Sequence, residues 1–345
     1  CVIEEGFDFS VIDLKGGSIA PGLITVGSYI GLMEIRQELS TWDGDAYNAL
    51  QQSPDLIDGL LIHAVDGISF GSKDELLAYR SGVTTAVAFP ITGSLFAGLS
   101  SSFSTSANHP LSPHAILNPA AALHLSLDNQ GFSISTKLAV LRRLLLGEAD
   151  EDSELTRAME SVAKGELRIV VAVSKADVMA ALVRLKKEVA PNMKMTFLGG
   201  HEAWMLAADL AEEKIGVIVA PARSFPGDWN TRRILPGPPL SDHTLPSMLA
   251  SHGVTVGLGI NEEWMARNTR YDAAWVYANS PDMFSKQSAL DLVSSNLEEL
   301  LGLNDGKDLL HQEEKGWVAY EGDMFGFGGK VKAVRGTGAE TVDLF

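Results

Sequence analysis

The 345-residue chain contains a single cysteine, Cys1, and therefore has no internal disulfide. This excludes a small disulfide-stapled scaffold, although it leaves a large secreted enzyme open. Long apolar runs are also missing: residues 215–221 and 254–260 are of strand length, far below the roughly 20 residues of a membrane-spanning helix. We therefore expect no membrane-spanning segment.

Positive charge is scarce, with 27 Lys and Arg against 44 Asp and Glu and a formal net charge of −17. A surface of this sign repels a phosphate backbone, so nucleic acid is not an expected partner. The first residue is not Met, and no basic stretch precedes an apolar segment. We expect a soluble, acidic protein processed from a longer precursor, and the sequence leaves its compartment open.

Short β-rich runs alternate with stretches of helical periodicity, which is typical of an α/β protein with a buried parallel sheet. The predicted strands are residues 19–26, 83–90, 121–127, 167–174, 195–198, 217–220 and 254–260. Helical spacing predicts helices over residues 136–146, 177–189 and 202–213. This succession favours a TIM-type (β/α)₈ barrel over a doubly wound sheet, although the eighth strand is not placed.

The tail from residue 316 changes character, because apolar residues such as Trp317 and Tyr320 are separated by Gly-rich turns. It predicts two or three strands of a small β-sandwich appendage to which both chain ends contribute. The predicted division is residues 1–18 for a remnant of this β domain, 19–312 for the barrel and 313–345 for its C-terminal strands. Segments 92–111 and 224–240 are predicted to be long loops on the functional face.

The residues from Val11 to Gly17, followed by Ile19-Ala20-Pro21-Gly22-Leu23-Ile24, resemble the amidohydrolase superfamily. There this phrase leads from a small β domain into the first barrel strand. Similar phrases occur at residues 82–86, 199–203, 254–261, 266–268 and 295–303. The resemblance is strongest to large fungal amidohydrolases and proteins like carbohydrate esterase family nine, which usually carry further residues before the first phrase. We therefore expect a fragment, completed by a missing N-terminal segment or within a homo-oligomer.

The resemblance implies a metal centre at the carboxyl ends of the strands, where a Zn-type ion activates water and polarises a carbonyl. The family's ligand and base positions fall on Gly27, Tyr29, Ala172, Gly199 and Asn261. The amide of Asn261 cannot act as a base at neutral pH. We expect no metal or other cofactor, and interpret the chain as a hydrolase-like but degenerate barrel, a pseudoenzyme kept for binding or assembly.

The alternative is an active hydrolase of non-peptide C–N or ester bonds that uses a relocated site and Zn. Its candidate catalytic residues are His201 and Glu202, at a strand-to-helix junction, and His124, within an alternating apolar run. Each also has a structural interpretation. His201 and Glu202 would cap the following helix, and His124 would be a core histidine.

Three further residues are candidate binding residues. Arg232 offers a guanidinium group suited to a carboxylate or phosphate, and Arg267 and Asn268 follow the last predicted strand. The structural alternative is a network of arginines bonded to the acidic body of the protein, together with a helix cap. The substrate class and the oligomeric state lie beyond these patterns.

Overall fold

The computed structural model describes residues 11–50, 59–128, 131–148, 152–227, 229–303 and 315–345. Its strands are β1 (Ser18–Pro21), β2 (Leu23–Val26), β3 (Val83–Ala88), β4 (Phe96–Leu99), β5 (Ser101–Ser104), β6 (Ile116–Asn118), β7 (Ala122–Ser126), β8 (Arg168–Val173), β9 (Met195–Gly199), β10 (Gly216–Val219), β11 (Val256–Leu258), β12 (Trp317–Glu321), β13 (Lys330–Arg335) and β14 (Asp343–Leu344). Its helices are α1 (Lys73–Arg80), α2 (Ile134–Leu145), α3 (Glu154–Lys164), α4 (Ala176–Val189), α5 (Ala207–Glu212), α6 (Leu245–Ser251), α7 (Thr269–Asn279), α8 (Lys286–Asp291) and α9 (Ser295–Leu301).

The largest sheet has the strand order β11-β10-β9-β8-β7-β4. Strands β7 to β11 are parallel and adjacent in chain order, with helices in the connections between them. Such strands are buried on both faces and therefore need continuous apolar runs, which β8 and β10 supply. The seven predicted runs all contain strands, and the predicted helices at 136–146 and 177–189 correspond to α2 and α4.

A second sheet has the order β2-β3-β5-β6 and mixes parallel with antiparallel pairs. Strands β4 and β5 follow one another across Ser100, and they pair with β7 in one sheet and with β3 in the other. Segment 92–111 was predicted as a loop, and this prediction is wrong. Ser100, Ser101 and Ser104 are buried, and their hydroxyls donate to main-chain carbonyls, as Ser101 does to Asn118 at 3.0 Å.

The expected eight parallel strands in one closed barrel are therefore corrected to two mixed sheets. A smaller apolar cluster nevertheless packs between them, with Val26 of β2 and Val87 of β3 beside Val170 of β8 and Ile218 of β10. Leu297 and Leu300 of α9 belong to the same cluster. The backbone N–H of Ile260, beyond β11, also donates to the carbonyl of Val26 at 2.9 Å. Strands of both sheets thus surround one shared interior, as in a TIM-type barrel.

The small sheet has the order β1-β12-β13-β14 and is antiparallel throughout. The predicted strand 19–26 is in fact two strands, because the chain turns at Gly22 and passes from the small sheet into the barrel sheet. Strand β1 thereby joins the C-terminal strands. Within the described residues the appendage is a single sheet, so its sandwich form stays a prediction. The predicted strand in residues 1–14 and the boundary at 312 lie largely or wholly outside the described residues.

No helix in the described part of the chain is long and apolar enough to cross a membrane.

Candidate ligand-binding cavity

One cavity of about 290 Å³ lies at the carboxyl ends of the barrel strands, and we call it the mouth cavity. The residues that line it follow or end strands of both sheets. They are Gly27, Tyr29, Phe89, Pro90, Thr92, Ala97, His124, Leu125, Ser126, Asp128, Ala172, Ser174, Leu198, Gly199, His201, Ala220 and Asn261. Because carboxyl ends of parallel strands carry the functional residues of such barrels, this cavity is the candidate site.

All five positions where the resemblance places metal ligands or the base line the mouth cavity, namely Gly27, Tyr29, Ala172, Gly199 and Asn261. The glycines and the alanine have no side-chain donor atom, whereas a Zn site is built from imidazole, thiolate and carboxylate groups. Among the described residues, no three His, Cys, Asp or Glu side chains are placed to share a metal ion. The residues present therefore do not fit the family's metal centre.

The backbone differs at the two glycines. Gly27 has φ +109°, and a Cβ atom built there would lie 2.3 Å from the carbonyl oxygen of Ile260. Gly199 has φ +94°, but its nearest neighbours would be at 3.7 Å, the Ser174 Oγ and the Val173 oxygen. Both conformations favour glycine. Only at Gly27 does the main chain of another strand also occupy the space of a side chain.

An aromatic wall forms one side of the mouth cavity. The ring of His124, on β7, stacks on Phe89 with centroids 4.6 Å apart and an interplanar angle of 11°. Tyr29 meets Phe89 edge to face at 5.5 Å. His124 is only 3% exposed, and within the described residues its Nε2 has no hydrogen-bond partner. Burial lowers the pKa of His124 to about 3, so the ring is neutral at physiological pH.

The cavity is also lined by His201, Asp128 and Ser174, which follow β9, β7 and β8. The Ser174 hydroxyl donates to Asp128 Oδ2 at 2.6 Å, and the Ser174 N–H donates to Oδ1 at 3.1 Å. His201 is 9% exposed, and its Nδ1 lies 3.8 Å from where a Cβ on Gly199 would stand. Sequence reasoning missed Asp128 and Ser174. Asp128 directly follows a predicted strand and Ser174 ends one, and this position could have marked them as candidates, because functional residues of such barrels lie at the carboxyl ends of strands.

Glu202 lies outside the cavity-lining set, although it follows His201 directly. Its buried carboxylate accepts two hydrogen bonds from Arg233, at 2.9 and 2.6 Å, and one from the Ala176 N–H at 2.9 Å. Burial raises the pKa of Glu202, but these bonds outweigh it and hold the pKa below its usual value. The carboxylate makes no capping bond at the turn that follows it. The carboxylate instead accepts a hydrogen bond at the start of α4. The prediction that Glu202 caps the helix that follows it is therefore wrong.

The three candidate binding residues are likewise absent from the described lining of the mouth cavity. Arg232 lies over the ring of Trp229, 4.5 Å from its centroid, and donates to the Trp229 carbonyl at 2.8 Å. Arg267 is exposed at the end of the 3₁₀ turn Glu263–Asn268, and Asn268 precedes α7 without a side-chain capping bond. The structure does not bring these three residues together with the histidines.

An ion-pair cluster supports the rim near Tyr29 and Asn261. The Tyr29 N–H donates to Glu263 Oε1 at 3.1 Å. Arg36 lies 3.0 Å from Glu262 and 3.6 Å from Glu263, and donates to the Asn261 carbonyl at 3.3 Å. Burial is the main reason that the pKa of Tyr29 is raised above its usual value, which keeps the phenol neutral. The cluster holds Tyr29 and Asn261 through their main chain.

Comparison with known proteins first defines the class. The amidohydrolase from Thermotoga maritima MSB8 superposes with a TM-score of 0.74 and 19% identity, over 98% of this chain and 91% of that chain. This likeness shows a TIM-barrel-type fold. A prolidase complexed with N-methylphosphonate-L-proline aligns over 99% of this chain and 91% of its own, with 13% identity and a TM-score of 0.48. This TM-score is too low to support a conclusion. No protein-family model matches the chain.

The sequence comparison is more specific. Amidohydrolase tasK of Hapsidospora irregularis is 29% identical over 346 aligned positions, which cover 86% of this chain and 34% of that protein. The chain thus spans about a third of the length of this relative. The match confirms that the chain is related to the amidohydrolase superfamily, as the phrases of its sequence predicted, and that its fold is hydrolase-like.

Proposed function

We propose that this chain is a catalytically degenerate amidohydrolase-type barrel, a pseudoenzyme whose mouth cavity binds a small molecule. The observation that carries the proposal is the chemistry of the former ligand positions. They converge on one cavity, yet Gly27, Ala172 and Gly199 supply no donor atom. No hydrolytic step through a metal ion is therefore derived for this cavity.

The main chain supports the proposal independently. A side chain at residue 27 would collide with the carbonyl oxygen of Ile260, whose N–H bonds to the Val26 carbonyl at 2.9 Å. The contact between β2 and the end of β11 therefore occupies the space that a ligand side chain needs. A metal site at this position would require a shift of the backbone as well as a substitution.

We favour ligand binding over assembly as the retained role, because the mouth cavity has the lining of a small-molecule site. Aromatic side chains and a few convergent polar groups are the usual lining of small-molecule sites. Tyr29 and Phe89 provide the first kind, and Ser126, Ser174 and His201 provide the second. A barrel kept only for its outer surface would need no such lining.

The test is the metal content of the purified protein, measured by elemental mass spectrometry before and after incubation with excess ZnCl₂ and desalting. We expect far less than one ion of Zn, Mn or Fe per chain in both samples. Retention of one or two ions per chain after desalting would overturn the proposal. The incubation excludes the explanation that a genuine metal was lost in purification.

A second candidate function is hydrolysis of ester or non-peptide C–N bonds at a relocated site. The observation in its favour is that His124 and His201 line the same cavity as the Asp128–Ser174 pair. The assay is turnover of 4-nitrophenyl acetate and matched anilides by the wild type, His201→Ala and the control His252→Ala, an exposed histidine on the outer surface. Turnover lost only in His201→Ala would establish this function and overturn the pseudoenzyme proposal.

A further inference from the structure

We propose that the mouth cavity takes a small, uncharged, planar ring compound that hydrogen-bonds to Nε2 of His124. The inference rests on the proposed binding function and adds the chemical class of the ligand. Size, shape, hydrogen bonding and charge each contribute to it.

The size and shape of the cavity favour a flat molecule of two fused rings. A cavity of about 150 Å³ holds one benzene ring, and the mouth cavity measures about 290 Å³. The rings of Phe89 and His124 are nearly parallel and stack on one another, and Tyr29 lies edge-on to Phe89, so part of the lining is aromatic. Ring compounds stack against such surfaces in offset or edge-to-face arrangements.

Hydrogen bonding distinguishes His124 from the other lining residues. A buried polar atom without a partner is costly, and such atoms in folded proteins call for an explanation. Within the described residues, the Nε2 of His124 is such an atom. Because the imidazole is neutral, each ring nitrogen is either a donor or an acceptor. A ligand that offers both groups satisfies Nε2 in either tautomer.

Charge excludes anions as the preferred class. The described lining contains Asp128 and no Lys or Arg. Arg233 faces Glu202, and Arg232 lies on Trp229. An anionic ligand would therefore face a carboxylate without a compensating cation. A metal cation is disfavoured as well, because the Asp128 oxygens accept hydrogen bonds from Ser174 and no further acid joins them.

The experiment compares three probes at pH 8 by ligand-observed NMR titration of the metal-free protein. Benzimidazole is planar, uncharged and carries both a donor and an acceptor nitrogen. Indene has the same shape without polar atoms, and benzimidazole-5-carboxylate adds a negative charge. We expect benzimidazole to bind about tenfold more tightly than indene, which corresponds to one hydrogen bond. The carboxylate should bind at least tenfold more weakly than benzimidazole.

Two variants assign the preference to His124. His124→Phe keeps a ring against Phe89 and removes the nitrogen, so the affinity ratio of benzimidazole to indene should fall to about one. The control is Tyr320→Phe, which removes another buried polar atom without a partner among the described residues, in the small sheet and outside the cavity. The ratio should be unchanged in this control.

Equal affinities of benzimidazole and indene for the wild type would overturn the inference, as would a preference that survives in His124→Phe. Failure of all three probes to bind would also overturn it. These outcomes differ from failure of the proposed function, which is read from the metal content and from turnover. A protein that retains Zn and hydrolyses esters would refute the proposed function whatever the probe affinities are.

Discussion

The two sides of the mouth cavity differ at the positions where the resemblance places metal ligands. On the side of β2 and β11, the main chain fills the space at Gly27, because the Ile260 carbonyl would lie 2.3 Å from a Cβ atom. On the side of β7 to β9, the space at Gly199 is open, and polar groups of His124, Ser174 and His201 line the cavity. The first side is closely packed, whereas the second lines the open cavity.

On the second side, two buried polar residues differ in their hydrogen bonding. Glu202 and His124 are both buried polar residues near strand ends, and both were candidate catalytic residues. Both oxygens of the Glu202 carboxylate accept hydrogen bonds, from Arg233 and from the Ala176 N–H. The Nε2 of His124 has no such partner within the described chain. The bonds of Glu202 stabilise the fold, whereas a buried polar atom without a partner calls for an explanation.

The largest expected effect is at residue 27. Gly27→Ala should lower the free energy of unfolding by about 3 kcal/mol or more, because the new methyl group meets a main-chain oxygen in addition to the unfavourable φ. Gly199→Ala is the matched control, with a similar φ and open space around the Cβ, and should cost about 1 kcal/mol. Chemical denaturation of the two variants measures the difference.

Equal losses of unfolding free energy in the two variants would show that the backbone angle φ alone sets the cost, and the two sides of the cavity would then not differ in packing. A larger loss in Gly199→Ala than in Gly27→Ala would mean that the side of β9 is the more closely packed one.

The next effect concerns the support behind His201. Glu202→Gln should cost about 2 kcal/mol, because a neutral amide loses the charge-assisted bonds to Arg233 and turns a donor toward it. Glu212→Gln is the matched control, since Glu212 is exposed and only pairs with Lys187 at 3.4 Å. We expect less than about 0.5 kcal/mol there, measured by the same denaturation assay.

The pH dependence of Glu202 has a defined sign. Its folded pKa lies below the ordinary value of 4.5, so the ionised carboxylate favours the folded state. The stability difference between the wild type and Glu202→Gln should be full above pH 4.5 and shrink as the pH falls through the lowered folded pKa. A difference that grew under acid conditions would contradict the ion-pair assignment.

The smallest expected effect is at His124. Exchange for phenylalanine removes a buried nitrogen without a partner in the described structure and keeps the ring, so thermal and chemical stability should change by less than about 1 kcal/mol. A loss of several kcal/mol would mean that the histidine holds the core together through its nitrogen. His124 would then have a structural role, like Glu202, and would not be a ligand-binding residue.

Much of the barrel could be predicted because its strands are buried on both faces. β10 is apolar throughout and β8 is apolar after Arg168, a pattern that local sequence reveals directly. Segment 92–111 was misread because its serines resemble a loop. Their burial depends on carbonyl partners such as that of Asn118, supplied by another strand. Partners that are distant in sequence leave no local signal.

The candidate site was predictable only in part. The positions of Gly27, Tyr29, Ala172, Gly199 and Asn261 could be located by resemblance, and all of them line one cavity. The roles of His124, His201 and Glu202 could not be distinguished, because a side chain's bonding partners decide them. The stacking of His124 on Phe89 brings together residues of β7 and of the loop after β3.

The sequence by itself determined the relation to amidohydrolases and the main strands, since each follows from residue type and local order. Only the tertiary structure decided that the five positions located by resemblance share one cavity and that the Ile260 carbonyl occupies the space beside Gly27. It also decided that Glu202 is bonded to Arg233, while Nε2 of His124 has no hydrogen bond within the described residues. These are relations between distant segments, and packing and hydrogen bonding set them only once the chain is folded.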